Sequence, residues 1–224
     1  PKNLQQQTAQ PVWPREIHLR GYPAPRHADD IVLNEIIGLI EKAERPVLYI
    51  GGGIISANAS DDLRQFAEAS QIPVTTTIMG CGVFPETHPL SLRWLGMHGT
   101  AYANWAVSGE FKPRSNPADP AEKLAPGADL LLAFGVRFDD RVTGKVDKFC
   151  ETGTIVHIDI DRSELNKNRR VQLPIESDVK YALQRLNEML ARRSIQKRFT
   201  AWHEQIAAWK AKAPLSYRVT EEVM

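Results

Sequence analysis

The sequence predicts an α/β fold: a Rossmann-like, doubly wound parallel sheet of five or six strands with helices on both faces. Short, uninterrupted apolar runs such as Val47-Leu48-Tyr49-Ile50 and Leu130-Leu131-Leu132-Ala133-Phe134 read as strands buried on both faces, as parallel strands are. Between such runs apolar residues recur at helical spacing, as at Val32, Leu33, Ile36, Ile37 and Ile40, so strand and helix alternate along the chain. With 224 residues, 42% of them hydrophobic and 25% charged, the chain is long enough to bury one substantial core.

Residues 1–28 are rich in Gln, Pro and Arg without a sustained period, which predicts an extended linker over a domain surface. The α/β domain is expected over 29–193. Asp29 or Asp30 can cap its first helix, and Pro46 lies beyond that helix's end. The strand Val47 to Ile50 then closes on Gly51-Gly52-Gly53. Ser60 is expected to cap a second helix reaching about Ser70, and Ile72-Pro73-Val74-Thr75-Thr76-Thr77 to supply a second strand. A helix over 100–107 precedes the strand at Leu130. Ile155-Val156-His157-Ile158 is a further strand, followed by a short helix near Ser163. A weaker strand over 171–175 leads into a helix over 178–192.

Residues 194–224 read as a helical linker. Phe199, Trp202, Ile206 and Trp209 fall at helical spacing beside the basic residues Arg192, Arg193, Lys197 and Arg198, as in an amphipathic helix packed on the domain. A protein-docking surface is the alternative that two Trp on one stripe leave open. Residues 108–127 carry four Pro and no period, and exceed the roughly 2 to 6 residues usual for a helix-to-strand connection. They are expected to form a surface excursion, and no function is assigned to them.

A net charge of +1, with both signs interspersed, gives no footprint for nucleic acid or for an anionic membrane. No apolar run approaches the roughly 20 residues that cross a bilayer, and the start has no signal-peptide core. Cys81 and Cys150 lack metal-ligand spacing and cannot make a disulfide framework, which favours a reducing compartment over secretion. Pro1 at the start and Glu221-Glu222-Val223-Met224 at the end are expected to be the ends of an excised piece.

Chemistry in an open parallel sheet sits at the carboxyl ends of the strands, where loops and helix N-termini offer free N–H groups. Four such ends are polar or Gly-rich: Gly51-Gly52-Gly53, Thr77-Ile78-Met79-Gly80-Cys81-Gly82, Gly135 to Arg141, and Asp159-Ile160-Asp161. Asp159 is suited to ribose hydroxyls, and Arg137 and Arg141 to an anionic ligand, with pairing to Asp139 or Asp140 as the structural alternative. Gly51-Gly52-Gly53-Ile54-Ile55-Ser56 does not complete G-x-G-x-x-G, so ordinary NAD binding is not indicated. Without a P-loop, nucleophile elbow or H-E-x-x-H, the segment reads as a cradle for a nucleotide rather than a self-contained catalyst.

Leu95-Gly96-Met97-His98-Gly99, Gly135-Val136-Arg137-Phe138-Asp139-Asp140-Arg141-Val142-Thr143-Gly144 and Ile155-Val156-His157-Ile158-Asp159-Ile160-Asp161 together resemble the central FAD-binding domain of the acetohydroxyacid (acetolactate) synthases. The likeness covers nearly the whole chain and is nearest the plant, algal and cyanobacterial branch. It implies that Gly52, Thr77, Ile78, Leu95, Gly96, Met97, His98, Gly135, Val136, Arg137, Phe138, Asp139, Asp159, Ile160, Asp178 and Val179 line FAD. Met97, His98, Asp140 and Arg141 would also face the channel to the thiamine site, where the family's inhibitors bind. The implied chemistry is condensation of two pyruvates, or of pyruvate with 2-oxobutyrate, in branched-chain amino-acid synthesis. Thiamine diphosphate and Mg2+ would bind in flanking domains of the same polypeptide, outside this chain. No catalytic or metal-ligating residue is therefore assigned here, and the chain alone is expected not to catalyse. A homo-oligomer with a regulatory small subunit is implied, in bacterial cytoplasm or plastid stroma. The flavin-contacting Arg expected in the leading segment aligns with His18 rather than Arg20. Other thiamine enzymes, such as pyruvate oxidase or glyoxylate carboligase, and a free-standing nucleotide-binding module are the alternative readings.

Overall fold

The computed structural model of the chain describes Thr8, Gln10 and residues 26–113, 121–193 and 199–216. Most of the proposed leading linker, His18 and Arg20, the middle of the 108–127 excursion, Lys197, Arg198 and the 217–224 tail lie outside the described residues. In chain order the elements are α1 (Asp30–Lys42), β1 (Pro46–Ile50), α2 (Gly53–Ser56), α3 (Ser60–Ser70), β2 (Val74–Thr76), β3 (Ser91–Trp94), α4 (Ala101–Ser108), β4 (Glu110–Phe111), β5 (Lys123–Ala125), β6 (Leu130–Phe134), α5 (Asp140–Thr143), β7 (Thr154–Asp159), β8 (Leu173–Glu176), α6 (Val179–Arg193) and α7 (Thr200–Lys212).

Six strands form one parallel sheet in the order β3-β2-β1-β6-β7-β8. The chain builds outward from β1 on one side and then returns to build outward from β6 on the other, so the order reverses between β1 and β6. All five side chains of β1 and of β6 are buried, which is why both read as unbroken apolar runs. Register neighbours share a face. Ile50 pairs with Phe134, and on that face Phe66 of α3 meets Phe134 edge-on at 6.3 Å between ring centroids, with α3 and α1 both packed on α6. Tyr49, Ala133 and His157 form a row on the opposite face, covered by Phe138 and Phe149.

Several local expectations are revised. Ala59, not Ser60, is the N-cap residue of α3, and it makes no side-chain cap hydrogen bond. Asp29 caps α1 by position alone, again without a side-chain bond; Asp30 instead pairs with Arg185 of α6. Near Ser163 the chain forms consecutive turns over 162–166 rather than a helix, because Asp161 Oδ1 accepts from Ser163 N at 2.8 Å and competes with helical hydrogen bonding. The ends of the 108–127 excursion are not irregular: β4 and β5 pair antiparallel.

That hairpin anchors α7. Trp209 Nε1 donates to Glu110 Oε2 at 2.7 Å, and Lys212 pairs with the other oxygen of the same carboxylate. Trp202 Nε1 donates to the Pro46 carbonyl at 3.1 Å. The rings of Trp105, Trp209 and Trp202 pack in sequence, with centroids 6.2 and 5.6 Å apart. Both Trp residues of the α7 stripe are thus spent on the domain itself, which makes the stripe a packing face.

Candidate functional site

A cleft of about 490 Å³ opens at the carboxyl ends of β1 and β6, where the strand order reverses and ligand sites of open α/β sheets lie. Its walls are Tyr49, Gly51, Gly52, Gly53, Thr77, Ile78, Met79, Gly135, Val136, Arg137, Phe138, Asp139, Arg141, Val142, Asp159 and Glu164. Nine of the residues that the family resemblance assigns to a cofactor meet here: Gly52, Thr77, Ile78, Gly135, Val136, Arg137, Phe138, Asp139 and Asp159. Tyr49, Val142 and Glu164 were not among them.

The glycine run serves the loops before it serves a ligand. A Cβ on Gly51 would stand 2.1 Å from the Gly135 carbonyl oxygen, and one on Gly53 would stand 2.6 Å from Gly135 Cα. The Gly51 amide donates to Phe134 O at 3.0 Å and the Gly53 amide to Gly135 O at 3.2 Å. Two of the three glycine amides are therefore engaged between the loops rather than free for a ligand. Gly135 itself has φ +58, a conformation that favours glycine.

Charge is arranged on the loop after β6. Asp139 caps α5, accepting from Arg141 N at 3.0 Å, and this bond leads the causes holding its carboxyl below the usual range. Arg137 pairs with Asp139 at 2.7 Å, yet its side chain is 70% exposed, so solvent screening leaves that pair a small contribution. Arg141 is exposed and makes no ion pair among the described residues, and Asp140 beside it is exposed. The Arg141 guanidinium is thus available to an anion, whereas that of Arg137 is shared.

Burial dominates on the β7 side. Asp159 is 9% exposed, and desolvation pushes its carboxyl up to about 6. His157 has no exposed surface; burial brings it down to about 4, so it is neutral near pH 7. Its Nε2 donates to the Val136 carbonyl at 2.7 Å, while Nδ1 is buried and has no hydrogen-bond partner among the described residues. Nε2 also lies 3.8 Å from Asp159 Oδ2, but a neutral ring makes this no ion pair. The Tyr49 hydroxyl is likewise buried and has no partner among the described residues.

These two shifts act on stability with opposite sign. Asp159 holds its proton more tightly folded than unfolded, so its contribution falls as pH rises from about 4 to 6. His157 holds its proton less tightly folded, so its contribution rises from about pH 4 to 6.5. Each is worth about 3 kcal/mol, and in the parent they largely offset. Urea unfolding of Asp159→Asn should expose the histidine's slope: relative to the parent, the variant gains up to about 3 kcal/mol between pH 4 and 6.5. Superimposable pH profiles would contradict the raised Asp159 carboxyl.

The remaining assigned residues stand around this cleft rather than in its walls. Leu95 is core, and Gly96, at φ +101, lies close against the Arg141 carbonyl. Met97 N donates to Arg141 O at 3.0 Å, which joins the 95–98 loop to α5 and leaves Met97 and His98 exposed beside it. Ile160 is exposed and Val179 is buried. Asp178 caps α6 through Tyr181 N at 2.9 Å, and its own amide donates to Arg26 O at 2.8 Å. Of the thiols, Cys81 is exposed and Cys150 buried, and desolvation raises Cys150 to about 12.

Residues 33–110 and 114–186 match the family model described as thiamine pyrophosphate enzyme, central domain. The chain is similar to acetolactate synthase 1, chloroplastic, of Oryza sativa subsp. japonica, with 46% identity over 226 residues, 99% of this chain and 32% of that protein. It is also similar to acetolactate synthase 1, chloroplastic, of Nicotiana tabacum, at 43% identity over 97% of this chain and 30% of that protein. Acetolactate synthase, chloroplastic, of Arabidopsis thaliana is 42% identical over 100% of this chain and 31% of its own length. The chain thus spans about a third of the length of the curated relatives it matches. With a single parallel sheet, a strand-order reversal at its centre and a family match across most of both halves, the chain belongs to the thiamine pyrophosphate enzymes, as their central domain.

Proposed function

We propose that the cleft between β1 and β6 holds part of an FAD, and that the chain is the cofactor-holding central unit of an acetolactate synthase. The observation that carries the reading is the set of groups meeting there. Arg141 offers an unpaired guanidinium to a diphosphate, Asp159 offers a buried carboxylate to ribose, and the fully buried Tyr49 hydroxyl lacks a partner. These residues fit a dinucleotide with a flat, largely apolar ring. Ile78, Met79 and Met97 are large exposed hydrophobics, suited to cover such a ring or to meet a neighbouring domain.

On this reading the chain's residues bind and orient, and they exclude water from one wall of the site. Thiamine diphosphate with Mg2+, bound outside this chain, would supply the carbanion chemistry for condensing two pyruvates to 2-acetolactate and CO2. Met97, His98, Asp140 and Arg141 face the approach to that centre. Branched-chain amino-acid synthesis, flanking thiamine-binding domains, a homo-oligomer with a regulatory small subunit and a plastid location belong to the same proposal; the relatives named above are chloroplastic.

Titration with FAD, followed by flavin fluorescence, tests the reading. Saturable binding is expected, weakened at least about tenfold in an Arg141→Ala, Asp159→Ala double variant, with NAD binding more weakly than FAD. Equal FAD affinity in parent and variant, or a preference for NAD, would remove the cleft as the flavin site.

A further inference from the structure

The seam between β3 and α7 brings two cations together, and neither lines the cleft. β3 is an edge strand, and its pairing with β2 skips Leu92, running from Ser91 opposite Val74 to Arg93 opposite Thr75. Such a bulge re-aims the side chain beside it. Arg93 also takes φ +59, a left-handed conformation uncommon for residues that carry a side chain. It is held there, its amide donating to Ser91 Oγ at 3.1 Å and its carbonyl accepting from Thr75 Oγ1 at 2.9 Å. Backbone strain of this kind collects at functional sites. Lys210, in the last turn of α7, comes up beside Arg93. Its Nζ donates to the Pro89 carbonyl at 3.2 Å and lies over the Tyr102 ring, 5.9 Å from the centroid. Among the described residues Lys210 makes no ion pair, and Arg93 has only the exposed Glu86, at 3.6 Å. Burial first, and then the Arg93 charge, hold the Lys210 ammonium below the usual lysine range, so more of it is free amine than at an exposed lysine.

We propose that Lys210 is a modification site at which carbon dioxide is taken up reversibly as a carbamate, with Arg93 as its counter-ion. The unprotonated Nζ gives its lone pair to the carbon of CO2. An N–C bond forms, one C=O π pair moves onto oxygen, and a proton passes from nitrogen to water, so no oxidant or further reactant is used. The neighbours suit the product better than they suit an ammonium. An ammonium has three donors and finds one acceptor, the Pro89 carbonyl, whereas a carbamate keeps a single N–H for that carbonyl. The new carboxylate turns two repelling cations into a charge-assisted pair. Carbon dioxide is small and uncharged, and it reaches a part-buried amine without the desolvation cost of an ion. The modification reverses the charge of the lysine at the joint between α7, β3 and α4, and it does not depend on what the cleft binds.

The test equilibrates the chain with isotopically labelled bicarbonate and carbon dioxide in mildly alkaline buffer, traps carbamates by ethylation with triethyloxonium, and locates them by peptide mass spectrometry. Lys210 should carry at least about tenfold more label than Lys42, an exposed lysine of α1 with no such counter-ion. That comparison is made within the parent and needs no variant. Arg93→Gln should remove most of the Lys210 label. Lys210→Arg, which keeps the cation but has no amine to react, should abolish it. Circular dichroism checks that both variants fold, and the melting temperature should rise with bicarbonate in the parent but not in Lys210→Arg. Label on Lys210 no higher than on Lys42, or undiminished in Arg93→Gln, would overturn the proposal. A melting temperature raised equally by phosphate and by bicarbonate, with no label at Lys210, would mark a plain anion contact and overturn it as well.

Discussion

Gly51→Ala should abolish the folded sheet or lower its melting temperature drastically. The added methyl would lie 2.1 Å from the Gly135 carbonyl oxygen, 2.8 Å from Val136 Cγ1 and 2.9 Å from the Gly135 carbonyl carbon. Two of these neighbours are backbone atoms, held where they are because Gly53 and Gly135 also pack against each other. Neither loop can yield without parting β1 from β6. Overpacking a core costs roughly 1–3 kcal/mol when side chains can rearrange, and here the expected loss is about 4 kcal/mol or more, in the range that single substitutions seldom reach. Gly38→Ala is the matched comparison. Gly38 lies within α1 with nothing within 4 Å of its added Cβ, so the same change should stabilise by about 0.5–1 kcal/mol. Chemical unfolding of the two variants should therefore give opposite signs. A Gly51→Ala protein as stable as the parent would show that the loops are free to separate.

Trp209→Ala is expected to cost about 3–5 kcal/mol, the range for truncating a large buried aromatic. Trp209 is 1% exposed and lies between the rings of Trp105 and Trp202. Its removal opens a cavity and withdraws one of the two donors to Glu110, a carboxylate itself 7% exposed. Trp209→Phe restores part of the volume but not the indole N–H, so it should fall between the parent and the Ala variant. Amide hydrogen exchange read peptide by peptide would locate the damage. Faster exchange should concentrate in α7 and in the β4–β5 hairpin, while β1 and β6 stay protected. A loss below about 1 kcal/mol would mean that α7 is only loosely seated.

The central strands were legible in sequence because burial on both faces leaves an unbroken apolar run, as in β1 and β6. The edge was less so. β3 carries Arg93 and Trp94 in four residues, two of them only partly buried, and an edge strand needs no apolar alternation to hold its place. The four-residue helices α2 and α5 are too short to show a period. The β4–β5 hairpin interrupts a Pro-rich stretch, where composition suggested irregular chain. Within the candidate site, residues marked by glycine or charge after a strand, such as Gly135, Arg137 and Asp159, could be named from the pattern alone. Tyr49 could not, because within Val47-Leu48-Tyr49-Ile50 it is one more buried side chain, and its unpartnered hydroxyl is a fact of three dimensions. Glu164 was hidden by an expected helix that is instead a series of turns stitched by Asp161.

The β1–β6 seam also bears on how the chain folds. β1 finds β2 on one side after a short crossover through α2 and α3, but on its other side it must wait for β6, with β2, β3, α4 and the excursion intervening in the chain. The walls of the cleft therefore depend on contacts of long sequence separation, whose loop-closure entropy must be met before the cleft exists. A nascent chain that has completed β3 has no binding cleft at all. A nucleotide that binds at this seam would recognise only chains in which both halves have met, and so would act as a selective trap for the finished fold.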